Sequence, residues 1–204
     1  MKDYTKLFEN YETTAVPPMD FRRKERERVS YYKSGRLKSI YLNEQTDIET
    51  PCGVIPCELI TFYESGAIRR VFPRYGAISA YWSSKDEASI TERMRLQIGD
   101  ASFLVKPQCI HFYESGELLS FTIYDHEKLL VDTRYGQITT NVGVSFYEDG
   151  KIRSLEPVFG TTIMVEGKTI APFNFFANHM HADNNSLVFD KEGKIISYIG
   201  IEKR

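Results

Sequence analysis

Cysteine is scarce. Cys52, Cys57 and Cys109 are the only three in 204 residues. A sparse, odd set builds no disulfide framework. Cys52 and Cys57 alone also fall short of the four ligands that structural zinc takes. The three thiols are therefore expected inside, as small apolar side chains. Charge of one sign is missing too: 26 Lys and Arg stand against 28 Asp and Glu, a net of −2. That balance argues against a nucleic-acid partner or an anionic membrane surface. No run approaches the ~18 uninterrupted apolar residues of a membrane helix. The stretch MKDYTKLFENYETT has no apolar segment of the secretory type. Together with the few cysteines, this predicts a reducing, cytoplasmic compartment. Catalytic signatures are absent as well. There is no G-x-S-x-G elbow and no phosphate-cradling glycine loop, so no catalytic residue is assigned and no cofactor is expected.

Aromatics are plentiful, with 13 Tyr and 13 Phe, which suits β-structure. They recur in register. VSYYKSGRLKSI (29–40), ITFYESGAIRRV (60–71), IHFYESGELLSF (110–121), VSFYEDGKIRSL (144–155) and LVFDKEGKIISY (187–198) are five copies of one pattern. Counted from the anchors Gly35, Gly66, Gly116, Gly150 and Gly193, an aliphatic residue stands at −6 and an aromatic at −4. Apolar residues follow at +2 and +5. Positions −6 and −4 share one face of a strand, because side chains alternate with period two. The polar pair and glycine form a three- to five-residue hairpin loop, with glycine at positive φ. The +2/+5 spacing breaks strict alternation, through a bulge or through cover on both faces.

A second series, Gly53, Gly99, Gly136 and Gly167, alternates with the first. The spacing is that of a meander and is too short for the roughly 30 residues of a βαβ unit. The expected fold is all-β: an antiparallel meander of repeated hairpins, either an elongated twisted sheet or one curled into an open barrel or sandwich. Residues 1–28 read as a loosely tied N-terminal arm and 29–204 as a single β-repeat domain. Insertions fall near 83–95, a short helix or loop, and near 171–186, an irregular excursion; AISAYW (77–82) reads as a strand.

The run aromatic-Tyr-polar-polar-Gly-x-aliphatic resembles the MORN-repeat-variant family of short β-hairpin repeats. The resemblance covers the five anchors and, with the alternating turns, 29–198. It implies hairpins laid side by side and a role in protein association or membrane-lipid proximity, with no catalytic residues. The anchor spacings, 31, 50, 34 and 43, are uneven for that family. The longer unit is similar to the tandem FYESG-type segments of uncharacterised bacterial proteins, which imply no activity.

Four candidate binding residues follow from the repeat: Tyr32, Tyr63, Tyr113 and Tyr147, all at −3. They form a row for a partner or a ring-bearing ligand, or they pack over the turns or the second face. His179, His181 and Asp183 in HMHAD could ligate a divalent metal, or be a polar surface loop. Glu64, Glu114 and Glu148 recur at turns and read as a solvated rim, and Arg22–Arg28 as a mixed-charge face. The functional expectation is a non-catalytic interaction or scaffolding module with a protein partner; membrane proximity rests on the family resemblance alone. The alternative is a small-molecule or metal-dependent enzyme, its site built from Trp82, the 82–95 insertion and the 179–183 loop. Terminal hairpins that pair with other copies are a third possibility.

Overall fold

The structure is a computed structural model that describes residues 2–14, 27–74, 81–99, 101–177 and 181–200. It is mostly β, and the pairings between its described strands are antiparallel. Its strands are β1 (Val29–Tyr31), β2 (Leu37–Thr50), β3 (Gly53–Phe62), β4 (Ile68–Phe72), β5 (Met94–Ile98), β6 (Ala101–Val105), β7 (Pro107–Phe112) and β8 (Leu118–Ile123). They continue as β9 (Leu129–Thr133), β10 (Gly136–Phe146), β11 (Ile152–Pro157), β12 (Ile163–Val165), β13 (Lys168–Ile170), β14 (Leu187–Phe189) and β15 (Ile195–Tyr198). One 11-stranded sheet runs β1-β2-β3-β4-β7-β8-β10-β11-β14-β15, with β9 on β10. That order is open, from β1 to β15, and does not close into a barrel. The pairs β5-β6 and β12-β13 stand apart as two-stranded sheets. The chain divides into two compact units, Met1–Leu118 and Leu119–Arg204.

All five anchor glycines have positive φ, between 76° and 105°. Each closes a three-residue loop in which glycine N–H donates to the −3 carbonyl and the −3 N–H donates to the +1 carbonyl. This is a type I turn followed by a left-handed glycine, a standard way to join twisted strands. The four glycines of the second series also have positive φ: Gly99 and Gly167 sit in hairpin turns, and Gly53 and Gly136 open the strand that follows one.

A bulge explains the broken alternation. In repeats one, two, four and five, −6 pairs with +5, −5 with +4, and −4 with +2. The +3 residue is the unpaired extra one. Positions −6, −4, +2 and +5 therefore share the core face. Ile60, Phe62, Val71, Ile110, Val144, Phe146, Leu155 and Leu187 are all fully buried there. At the outer strands the core face runs out: Tyr31 is 62% and Tyr198 48% exposed.

In the first unit, the described part of the N-terminal arm is fastened down. A short 3-10 helix (Tyr4–Phe8) is capped by Asp3, and Tyr4 N–H donates to the Gly66 carbonyl at 2.9 Å. Asp3 also pairs with Arg36 at 2.9 Å, and Tyr11 Oη accepts from Asn43 N–H. The 83–95 insertion holds helix α1 (Ser84–Ser89), opened by a reciprocal Ser83–Asp86 capping box, and then enters β5. Of the expected strand 77–82, residues 77–80 lie outside the described residues, and Tyr81 and Trp82 are irregular. Most of the Arg22–Arg28 segment also lies outside them.

In the second unit, β10 carries its own bulge at Val142 and Gly143. A Cβ on Gly143 would meet the Phe121 carbonyl oxygen at 2.0 Å, so only glycine lets β8 pass there. The described parts of the 171–186 insertion, 171–177 and 181–186, are irregular, with 3-10 turns at Phe175–Ala177 and Ala182–Asn184.

Candidate functional site

The repeat tyrosines are half-buried at the turns. Their hydroxyls reach the neighbouring repeat: Tyr32 donates to the Phe62 carbonyl at 2.6 Å, Tyr63 to Phe112 at 2.8 Å and Tyr147 to Phe189 at 2.7 Å. Each acceptor is the −4 residue of the next repeat. It lies one residue beyond the last paired rung, Ser39↔Thr61, Arg70↔His111 or Ser154↔Val188. The phenol thus supplies the hydrogen bond that the ladder no longer does. Cations lie over the same rings: Lys38 over Tyr32, Arg69 over Tyr63 and Lys191 over Tyr147, at 5.6–5.7 Å. Tyr113 closes its turn like the others, donating to Glu117 at 2.8 Å.

Tyr32 also lines a groove of about 270 Å³ on the first unit. Two rungs of the sheet's second face lie along it: Ser39–Thr61–Arg70, and next to it Tyr41–Leu59–Phe72. Lys38 and Arg69, the two bulge residues, are exposed and complete its charged lining. Among the described residues, no carboxylate lines the groove, which carries three cations.

In the second unit the equivalent rungs are covered by the chain's own insertion. Ser120 Oγ donates to Asp183 Oδ1 at 2.6 Å, and Asn185 Nδ2 to Ser154 Oγ at 3.2 Å. Ala182 N–H donates to Thr122 Oγ1 at 3.1 Å. Glu156, buried, accepts from Asn174 N–H, Ser186 N–H and Ser186 Oγ at 2.6–2.9 Å. Burial pushes its carboxyl above the usual range, against those three donors. Three bonds to one carboxylate fix where Asn174 and Ser186, near the two ends of the insertion, lie. Glu156 was missed by sequence reasoning, its only signal being a charge inside an apolar strand.

Of the candidate metal ligands, His179 lies outside the described residues. His181 is exposed and precedes the 3-10 turn that holds Asp183. No group of three potential ligands comes together among the described residues. Trp82 and the 82–95 insertion belong to the first unit, His181 and Asp183 to the second. The three cysteines are buried and outside any disulfide, as expected, and burial pushes the Cys57 thiol up to about 12.

The second unit also exposes aromatics. Phe159 is 71%, Phe175 73% and Phe176 78% accessible. Phe159 packs edge-on against Phe173 at 5.1 Å, and Phe175 against Phe176 at 5.7 Å. Among the described residues, no helix is long and apolar enough to cross a membrane. Compared with known proteins, the chain matches no family model, no curated protein and no solved structure.

Proposed function

We propose that this protein is a non-catalytic β-repeat interaction module, of the MORN-like kind, that binds a protein partner. The observation that carries this reading is the exposure of Phe159, Phe175 and Phe176, the first edge-on to Phe173 and the other two edge-on to each other. The repeats bury their −4 phenylalanines to 2% or less, yet these three stay more than 70% exposed. Exposed aromatic clusters on a folded surface are the usual anchors of protein association. The repeat's own signature residues are occupied otherwise, with aliphatics in the core and the hydroxyls of Tyr32, Tyr63 and Tyr147 bonded to the next repeat.

The test is to place a photo-cross-linking phenylalanine analogue at position 176 in the cell of origin. The captured protein is identified by mass spectrometry, purified, and its affinity for the chain measured. Phe175→Ser with Phe176→Ser is expected to weaken binding by about tenfold or more. Absence of a discrete cross-linked protein, or an unchanged affinity, refutes the reading.

A further inference from the structure

We propose that the groove over the first unit takes an acidic peptide segment from another protein. The argument is an internal comparison. Counted from the glycines, the groove's rungs are +4 of repeat one, then −5 and +4 of repeat two (Ser39, Thr61, Arg70), and beside them Tyr41, Leu59 and Phe72. The same positions in repeats three and four are Ser120, Ser145 and Ser154, and beside them Thr122, Gly143 and Glu156.

In the second unit that surface is occupied. The irregular segment 182–186 lies across it, held through Asp183 on Ser120, Asn185 on Ser154 and the Gly143 carbonyl, and Ala182 N–H on Thr122. This face of the repeat is thus a seat for a short polar stretch of irregular chain. In the first unit the seat remains a groove of about 270 Å³.

The chemistry of the seat differs, and the difference names the occupant. The second unit holds its segment with serine, threonine and glutamate. The groove presents Lys38, Arg69 and Arg70 instead, with aromatic and aliphatic surface from Tyr41, Leu59 and Phe72 beside them. Lys38 and Arg69 stand on the bulge and face solvent. Neither is in an ion pair with a described carboxylate. Several cations against an apolar strip select Asp or Glu side chains on a segment that also offers an apolar contact.

The inference rests on the interaction-module reading, but the two fail separately, because the groove and the exposed phenylalanines lie in different units. A random peptide library displayed on phage is panned on the full chain, and enriched sequences are synthesised with a fluorescent label. Enrichment in Asp and Glu is expected. Lys38→Glu with Arg69→Glu should weaken their binding by about tenfold at an unchanged urea midpoint, and Phe175→Ser with Phe176→Ser should leave it as it was. If charge reversal disturbs folding, Lys38→Gln with Arg69→Gln gives the same ranking with a smaller loss. Peptides without acidic enrichment, or affinities indifferent to both pairs of variants, overturn the proposal. So does a groove that answers to inorganic phosphate and to no acidic peptide, since that would be a small-anion site.

Discussion

Replacing Gly66 with alanine tests the turn and the N-terminal arm together, and Gly35 supplies the control. Gly35 has φ +83° and open space around a built Cβ, so Gly35→Ala adds only left-handed strain, about 1 kcal/mol. Gly66 has φ +92°, and its Cβ would lie 2.1 Å from Asp3 Oδ1 and 2.6 Å from Asp3 Cγ. Asp3 must therefore leave. It caps the Tyr4–Phe8 turn through Thr5 and pairs with Arg36. A lost cap costs about 1 kcal/mol, and a half-exposed ion pair adds a few tenths at most. Gly66→Ala should thus cost about 2–3 kcal/mol by urea denaturation. With Asp3→Ala already in place, the added cost of Gly66→Ala should fall to the Gly35 value, leaving a coupling of about 1 kcal/mol. Equal costs at the two glycines would refute the contact with Asp3. Near-zero costs at both would remove the turn assignment itself.

Three further outcomes are expected. Tyr32→Phe, Tyr63→Phe and Tyr147→Phe each remove one hydrogen bond to the next repeat and should each cost about 1 kcal/mol in urea; no loss at all three sites would deny the link. Glu156 holds its proton to higher pH in the folded chain than in the unfolded one, because burial raises its carboxyl. Its contribution is present in acid and lost as pH rises from about 4.3 through the raised value, so the urea midpoint should fall across that window. Glu156→Gln should flatten that slope and, with one acceptor oxygen for three donors, lower stability by about 1–3 kcal/mol in acid; parallel pH profiles would contradict this. Native protein should resist iodoacetamide at mildly alkaline pH, since all three cysteines are buried and the Cys52 and Cys57 thiols raised. Labelling as fast as in urea would overturn it.

The turns and the core face were legible because both depend on local chemistry. Glycine recurs where φ must be positive, and −6 and −4 must share a face whatever follows. The bulge is one of two readings, since +2 and +5 agree with an extra residue or with cover on both faces; only the shift from Ser145 opposite Ser154 to Phe146 opposite Ile152 separates them. The −3 tyrosines were visible as a row, but their hydroxyl partners are 30, 49 and 42 residues away. The groove was illegible for a similar reason. Ser39, Thr61 and Arg70 become neighbours only once three strands are aligned. Asp183, singled out for its spacing from two histidines, contacts Ser120 through the coverage of the second face, which no local pattern announces. Asp3 falls within the arm of residues 1–28, and nothing near it in sequence says that it meets Gly66.

The hairpins of repeats one, two, four and five each carry an extra residue at +3, which sets both the core face and the second-face rungs. Cysteine pairs in repeat four test it most directly. Ser145 and Ser154 face each other with hydroxyls 2.6 Å apart. Ser145→Cys with Ser154→Cys is expected to oxidise to an intramolecular disulfide seen by peptide mapping, while Ser145→Cys with Arg153→Cys stays reduced. A hairpin without the extra residue would set position 145 opposite 153, and oxidation of that pair in place of the first would contradict the account.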